Sequence, residues 1–322
     1  SISLGRLELI MHAVAVAAPL TILLSGAVVL YALYTPQATR GAGARSPSGS
    51  HNGAAPESFW GATDAEFDWC EGGANGDHVL VLEPMNTISS FVYPILALVA
   101  WRWHRGQPAV WLRVLLLTAT VMGLGSVAFH ASLRYSMQLL DELPLYALAL
   151  LAAAVLRARN TRTHGAQLVA SLVAVAVAAA LLCAPRASQV HGAARVFMAV
   201  SFGLAFVYVL TAGSVSAKEV DARRGGSDAR MLFALSFFSF VGAIAAWIVD
   251  MVACETLRDL PAGLPYPQLH ALGWHLGTGA GLYFLFCMLL LHQHEVLDRL
   301  PATVVWPAGI IPKVLVRNHH RD

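Results

Sequence analysis

A serine, an aspartate and three histidines lie at the ends of apolar segments of this chain. Ser126 and His130 end one apolar segment, Asp141 begins the next, and His270 and His275 begin the last. Polar and ionisable groups at the edge of a hydrocarbon layer are costly to bury and therefore indicate a functional site. Ser126 and His130 are four residues apart, so on a helix their side chains lie on one face and can share one target.

Three histidines with a carboxylate and a hydroxyl are typical of a catalytic zinc site. Neutral imidazoles are good ligands for Zn²⁺, and three protein ligands leave a fourth position for water. The hypothesis is that His130, His270 and His275 bind zinc. Asp141 would then act as the general base, and Ser126 would donate a hydrogen bond to the substrate carbonyl or its oxyanion.

Two other interpretations of these residues stay open. They could be interfacial polar groups satisfied by one another or by lipid headgroups. Ser126, His130 and Asp141 could also form a nucleophilic triad, but the sequence has no GxSxG elbow, and a triad leaves the other two histidines without a role.

The composition predicts the environment of the site. The 322 residues are 57% hydrophobic and 12% charged, and the mean hydropathy is +0.60. These three values lie well outside the range of a soluble domain of this length and predict an all-α, polytopic membrane bundle. The balance of 21 basic and 19 acidic residues provides no basic field for nucleic acid.

Seven apolar segments are each long enough to cross a hydrocarbon core as a helix. They lie near residues 85–103, 110–131, 137–156, 166–184, 194–216, 231–253 and 270–292. We expect them to form a seven-helix catalytic domain over residues 59–295, followed by a tail over 296–322.

A further apolar run precedes this domain. Residues 8–34 are long enough to span a bilayer, although the SGA near their end could serve as a signal-peptide cleavage site. A signal peptide has a shorter apolar core, so we expect a transmembrane helix or signal anchor within residues 1–34. Residues 35–58 are rich in Gly, Ala, Ser and Pro and predict a flexible linker.

Basic residues are concentrated in alternate connections between the segments. The richer connections hold Arg102, Arg105, Arg113, Arg157, Arg159, Arg162, Lys218, Arg223, Arg224 and Arg230, and Arg299, Lys313, Arg317 and Arg321 follow the last segment. By the positive-inside rule these connections and the C-terminus are cytoplasmic. The three histidines and Asp141 then share the opposite, lumenal or exterior side.

A second polar cluster precedes the first of the seven segments. It contains Asp68, Trp69, Glu71, Asn75, Asp77 and Glu83, with a Gly-rich turn between them. Closely spaced carboxylates and carbonyls suit Ca²⁺, which takes six to eight oxygen ligands. The pattern is no EF-hand loop, and a solvated acidic loop explains it equally well.

Seven short stretches of the chain resemble the alkaline ceramidase family, which is part of a larger group of seven-helix membrane hydrolases that includes the adiponectin-receptor-like proteins. The stretches are FWG at 59–61, DWCE at 68–71, EPMNTIS at 83–89, GLGSVAFH at 123–130, MQLLDELP at 137–144, WIVDMVAC at 247–254 and HALGWH at 270–275. They occur in the family's order and cover most of residues 57–292.

The resemblance implies zinc-dependent hydrolysis of the ceramide amide to a sphingoid base and a fatty acid, in an integral membrane protein of the endoplasmic reticulum or Golgi. His130, His270 and His275 resemble the family's zinc ligands, with Asp141 acting on the water and Ser126 on the carbonyl. The calcium site of the family would comprise Asp68, Trp69, Glu71 and Glu83. Cys70 and Cys254 resemble its disulfide.

The sequence departs from the family pattern at two points. The last two histidines are five residues apart rather than four, and on a regular α-helix five residues turn through about 140°. Either a π-bulge near Gly273 restores their convergence, or one histidine is not a ligand. In the calcium loop Gly73 stands where the family has Asn, and Asn75 is the expected substitute.

Functions of other classes also remain open. A related zinc-dependent lipid hydrolase or a receptor-like seven-helix protein would use the same residues on another lipid. A transporter or a zinc-stabilised scaffold would have no amide turnover. Transporters place ionisable groups near the midplane and often contain repeats, whereas here the polar groups gather near one surface.

Overall fold

The computed structural model describes residues 58–67, 69–71, 79–104, 110–157, 161–309 and 311–316. The predicted N-terminal helix lies outside these residues, as do most of the linker, Asp68, Asn75, Asp77 and residues 317–322 of the tail.

Within the described ranges the chain forms a bundle of helices, which confirms the predicted helical membrane fold. The α-helices are α1 Pro84–Ser89, α2 Val92–Trp103, α3 Val110–Ser132, α4 Tyr135–Arg157, α5 Thr161–Leu182, α6 Gln189–Arg224, α7 Asp228–Val252, α8 Cys254–Arg258 and α9 Leu276–His292. Two π-helices, Leu269–His275 and Gln293–Asp298, flank α9, and two short 3₁₀ turns occupy Pro261–Gly263 and Pro307–Gly309.

Six of these helical stretches are long and apolar enough to cross a membrane. They are Pro84–Trp103, Val110–Ser132, Tyr135–Arg157, Gln189–Arg224, Asp228–Val252 and Leu269–Asp298. Each coincides with one of the seven predicted segments. Helix α5 occupies the position of the remaining segment, and its apolar part, Val169–Leu182, is shorter than the other spans. The protein is therefore an integral membrane protein.

The last span lies at the centre of the bundle. In Leu269–Asp298, 67% of the most apolar window is buried within the protein, compared with 22–44% in the other five spans. Helix α9 packs against α2, α6 and α7, while α3 packs against α2 and α4. Its buried residues Met288, Leu290 and Leu291 belong to one hydrophobic core shared with these neighbours. Residues at the ends of this central span consequently face the interior.

Helix α6 is longer than the apolar segment near 194–216 because polar residues complete it at both ends. Its N-cap is Ser188, whose hydroxyl accepts a hydrogen bond from the His191 amide (3.2 Å). Its C-terminal turns are polar and end at Gly225, which adopts the left-handed conformation (φ 71°) that favours glycine at this position. Hydropathy detects the membrane-spanning part of such a helix and misses its polar extensions.

A small β-hairpin follows the second π-helix, within the region predicted only as a tail. Strands β1 Ala302–Val305 and β2 Lys313–Val316 are antiparallel, with Ala302 opposite Val316. Ala302 and Val314 are buried against the bundle. Tyr283 of α9 donates its hydroxyl to the Pro312 carbonyl (2.9 Å), and the Val314 amide donates to Nε2 of His104 (3.1 Å). The hairpin therefore closes the end of the bundle that lies at the Gln293–Asp298 end of the central span.

Candidate active site

His130, His270 and His275 converge in the interior at one end of the bundle. One nitrogen from each ring lies within 4.8 Å of the other two. The ring centroids are separated by 5.3 Å for His130 and His270, 5.0 Å for His130 and His275, and 4.7 Å for His270 and His275. Each residue is at most 2% exposed. Three buried imidazoles at these separations can ligate one ion.

The five-residue spacing of the last two histidines is accommodated by a π-helix. Residues Leu269–His275 repeat with i to i+5 hydrogen bonding, so residues five apart lie on one face. The π-helix packs closely against α7 at Gly273, where an added Cβ would lie 2.3 Å from the Cβ of Ala246. Glycine at this position allows the wider helical turn to fit against its neighbour, and both histidines consequently face His130.

Hydrogen bonds fix two of the three imidazole rings. Nδ1 of His130 donates to Oε2 of Glu83 (2.5 Å). Nδ1 of His275 donates to the hydroxyl of Ser89 (2.7 Å), which itself donates to the Asn86 carbonyl (3.1 Å). With Nδ1 protonated in both rings, each Nε2 carries the lone pair that a metal ion requires.

Two ring nitrogens of the cluster lack partners within the part of the chain that the structure describes. Nε2 of His130 and Nδ1 of His270 are buried and accept or donate no hydrogen bond there. Buried polar atoms without partners are uncommon because each costs free energy comparable to a lost hydrogen bond. A metal ion held by one nitrogen of each ring would give such an atom a partner, so the donor set fits a zinc ion.

The ring of His270 is held from its face by an aromatic side chain. Trp69 stacks on it with a centroid distance of 4.0 Å and an interplanar angle of 25°. Trp69 in turn contacts Phe67 at 6.0 Å and Trp247 at 6.4 Å. The segment before the first span therefore forms one wall of the histidine cluster.

Ser126 and Asp141 meet beside the cluster. Ser126 is buried one helical turn before His130, and its hydroxyl donates a hydrogen bond to the Asp141 carboxylate. Ser126 also accepts a hydrogen bond from the hydroxyl of Ser90 (3.0 Å). Helices α3 and α4 approach closely here because residue 125 is glycine: an added Cβ would lie 2.2 Å from the Leu140 carbonyl oxygen.

This arrangement does not support the nucleophilic triad. In a triad the histidine bonds to both the serine and the carboxylate. Here Nδ1 of His130 bonds to Glu83, and its Nε2 bonds to no described residue. Ser126 bonds directly to Asp141 instead.

The described members of the predicted calcium cluster lie against the histidine site. The carboxylate of Glu71 accepts from the amides of Met85 (2.7 Å) and Asn86 (2.9 Å) at the start of α1. Glu83 is fully buried and accepts from the Trp69 amide (3.3 Å) and the Asn86 side chain (3.1 Å). Asp68 and Asn75, the other expected ligands, lie outside the described residues.

Three carboxylates crowd together at this point. Burial raises the pKa of Glu71, and the nearby carboxylates of Glu83 and Asp250 raise it further. The hydrogen bonds from the backbone amides of Met85 and Asn86 partly offset this rise. Burial likewise raises the pKa of the Glu83 carboxyl to about 7, although the Arg258 guanidinium nearby lowers it. A cation bound here would favour the ionised form of these carboxylates.

Cys70 and Cys254 form a disulfide with their Cα atoms 5.3 Å apart. Asp250 lies beside it, completely buried, and accepts hydrogen bonds from the Cys70 amide (3.4 Å), the Tyr266 hydroxyl and the backbone amide of His270. Asp250 therefore supports the start of the π-helix through its backbone and bonds to no imidazole ring of the cluster. Cys183 and Cys287 are free.

Several contacts of the site were not foreseen from the sequence. The bonds from Glu83 to His130 and from Ser89 to His275 join residues 47 and 186 positions apart. Both partners lie in the EPMNTIS stretch, which marked this segment as important without indicating what each side chain contacts.

Comparison with known proteins places the chain in a family. The ceramidase family matches residues 61–315. Alkaline ceramidase 3 of Mus musculus is 27% identical to this protein, and the alignment covers 80% of this chain and 94% of the mouse chain. Alkaline ceramidase YPC1 of Saccharomyces cerevisiae is also 27% identical, over 71% of this chain and 77% of its own, and a putative alkaline ceramidase of Dictyostelium discoideum is 25% identical. The match covers the spans and the histidine cluster, and the chain belongs to the ceramidase family.

Proposed function

We propose that this protein hydrolyses the amide bond of ceramides in a zinc-dependent reaction. The observation that carries the proposal is the cluster of His130, His270 and His275, in which two buried ring nitrogens have no partner among the described residues. A zinc ion held by the three rings would supply Lewis-acid chemistry and lower the pKa of water to about 7.

The residues beside the cluster supply the proton transfers. Hydrolysis adds water across the C–N bond: the carbonyl carbon gains a hydroxyl and becomes a fatty acid, and the nitrogen gains a proton and leaves as the amine of a sphingoid base. Asp141 would take the proton from the attacking water and return it to the leaving nitrogen. Ser126 hydrogen-bonds to Asp141 in the described structure, and with substrate bound its hydroxyl would instead donate to the substrate carbonyl or its oxyanion.

We propose a calcium ion as a second, regulatory cofactor. Glu71 and Glu83 would bind it with Asp68, Asn75 and the Trp69 carbonyl. The burial of Glu71 and Glu83 supports this assignment, because a bound cation would favour their ionised forms. Glu83 also contacts His130, so calcium would order the same segment that supports the zinc ligands.

The substrate would enter from the bilayer. Both tails of a ceramide are apolar, and the outward faces of the spans are apolar along their length, with exposed residues that include Leu117, Val200 and Phe238. We place the C-terminus in the cytoplasm and the metal sites on the lumenal side of the endoplasmic reticulum or Golgi membrane. A disulfide on that side is compatible with an oxidising lumen.

The test is ceramide hydrolysis by the purified protein in nanodiscs, with zinc content measured on each sample. His275→Ala is expected to lose both zinc and turnover. Asp141→Ala should keep zinc and lose about 10²- to 10⁴-fold in turnover, the usual contribution of a general base. His104→Ala is the matched control, because His104 is equally buried but lies at the hairpin end of the bundle.

Two results would redirect the proposal. Full zinc and full turnover in His275→Ala would remove this residue from the site. A zinc-loaded wild type without ceramide turnover would point to another lipid substrate, a receptor-like protein or a scaffold.

A further inference from the structure

A buried ion-pair network lies beside Asp141 and is not part of the hydrolytic site described above. Its centre is Arg195 on α6, which is 9% exposed. One arm of the guanidinium contacts Glu142, the residue after Asp141, and the other lies 2.5 Å from Oε2 of Glu66. A guanidinium suits this position, since its planar fork can engage two carboxylates at once.

The backbone of Glu66 and the carboxylate of Glu142 are also joined, through Gln138. Gln138, which is fully buried, accepts a hydrogen bond from the Glu66 amide (2.7 Å) and donates one to Oε1 of Glu142 (2.7 Å). His191, one turn before Arg195 on α6, contacts the other oxygen of Glu66 at 2.7 Å. The network therefore fixes the segment before the first span to α4 and α6.

The two carboxylates of the network, Glu142 and Glu66, lie near different residues of the candidate active site. Glu142 is adjacent to Asp141 and interacts with it electrostatically. Glu66 precedes Trp69 by three residues, and Trp69 stacks on His270 at 4.0 Å. Within the described residues, Arg195 is the one cation that is paired with Glu142. Without it, a second negative charge would stand uncompensated beside Asp141, where burial makes like charges costly.

We propose that Arg195 is a positioning residue for the hydrolytic reaction, acting by compensating the charge of Glu142 beside Asp141 and by fixing Glu66 in the segment that carries Trp69. This inference rests on the proposed function. It assigns Arg195 no contact with the substrate or the metal ion. Its effect should therefore appear in kcat rather than in KM or in metal content.

The central variant is Arg195→Met, which keeps an unbranched apolar stem and removes the charged guanidinium. Ceramide turnover is measured in nanodiscs beside wild type, with zinc content and thermal stability on the same samples. We expect kcat to fall by at least about tenfold, because misplacing a reacting group by about 1 Å can cost about 10²-fold. KM and zinc content should stay close to the wild-type values.

The double variant Arg195→Met/Glu142→Gln separates charge compensation from a merely structural role. Removing both charges should recover the part of the lost kcat that comes from the uncompensated charge of Glu142, although Glu66 still lacks its guanidinium partner. Arg223→Met is the matched control, since Arg223 also pairs with a glutamate, Glu219, but both side chains are 45% exposed. Its turnover should equal that of wild type.

Several outcomes would overturn the inference. They are wild-type kcat in Arg195→Met, a folded double variant that contains zinc but is no more active than Arg195→Met, and failure of both variants to fold, which would make the network purely structural. These outcomes differ from failure of the proposed function, in which the wild type itself would not hydrolyse ceramide.

Discussion

The carboxylate of Glu83 lies 2.5 Å from Nδ1 of His130, and the Glu83 amide donates to the His130 carbonyl at 3.1 Å. Glu83 thus holds both the ring and the backbone of one histidine of the cluster. It also accepts a hydrogen bond from the Trp69 amide, and Trp69 stacks on a second histidine, His270. One buried side chain therefore connects the carboxylate cluster to two of the three candidate zinc ligands.

Glu83→Gln is expected to weaken zinc binding without abolishing the fold. The amide keeps the size of the carboxylate but loses the charge that orients the His130 ring and increases its basicity. Loss of a residue that hydrogen-bonds to a metal ligand typically costs about 10- to 100-fold in metal affinity or activity. The affinity can be measured by competition with a chromogenic zinc chelator. Glu219→Gln, at an exposed pair, should not change it; an unchanged affinity in Glu83→Gln would show that the contact does not support the metal.

Gly273→Ala should displace the π-helix. An added Cβ would lie 2.3 Å from the Cβ of Ala246, so the helix and α7 must move apart. We expect lower thermal stability and lower zinc content, and partial recovery in the double variant Gly273→Ala/Ala246→Gly.

Gly192→Ala is the matched control for this substitution. Gly192 lies within α6, and nothing lies within 4 Å of an added Cβ there. Alanine is favoured over glycine inside a helix by about 1 kcal/mol, so this variant should be as stable as wild type or more so. Equal behaviour of the two alanine variants would contradict the close packing at Gly273.

Removing the disulfide should destabilise the protein. Cys70 and Cys254 are 184 positions apart, and cross-links that close long loops restrict the unfolded chain most. In Cys70→Ala/Cys254→Ala the thermal midpoint should fall, and a reductant should lower that of wild type but not that of the double variant. Native disulfides typically contribute about 2–5 kcal/mol. Cys183→Ala, which removes a free thiol, should leave the reductant effect intact.

His104 should hold the C-terminal hairpin over the physiological pH range. Its Nδ1 donates to the Ala100 carbonyl (2.8 Å), so Nε2 is free to accept the Val314 amide (3.1 Å). Burial lowers the pKa of His104 to about 4, and the ring therefore stays neutral and keeps this acceptor at pH 7. Because the unfolded ring has a pKa of about 6.5, this contribution to stability is complete above pH 6.5 and is lost as the pH falls toward 4.

Hydrogen exchange at the Val314 amide measures this contact. The amide should be protected in wild type and exchange faster in His104→Ala, with little change in the amides of α4. Equal protection of Val314 in both proteins would show that packing alone holds the hairpin.

The sequence predicted those features of the protein that depend on residues close together along the chain. Hydropathy located the spans, because a membrane requires long apolar runs at each crossing. The five-residue interval between His270 and His275 indicated that the helix must widen if both residues serve one ion, and the structure has a π-helix at Leu269–His275.

The remaining features depend on packing between distant segments. The residues around Glu83 and Ser89 in the sequence do not indicate which histidine each of them contacts. In the sequence, Arg195 resembles an ordinary cation near a helix end, and only the fold brings Glu66 and Glu142 beside it. The hairpin was missed because its strands contain only four residues each and are stabilised by His104 and Tyr283 from other elements.

The most direct test of zinc-dependent ceramide hydrolysis is a zinc titration of the metal-free protein with turnover as the readout. The protein is stripped with a chelator, and activity is followed as zinc is returned in known amounts. Turnover should be lost on stripping and should rise to a plateau at one zinc ion for each chain. Undiminished turnover in protein shown to contain no zinc would contradict a zinc-dependent reaction.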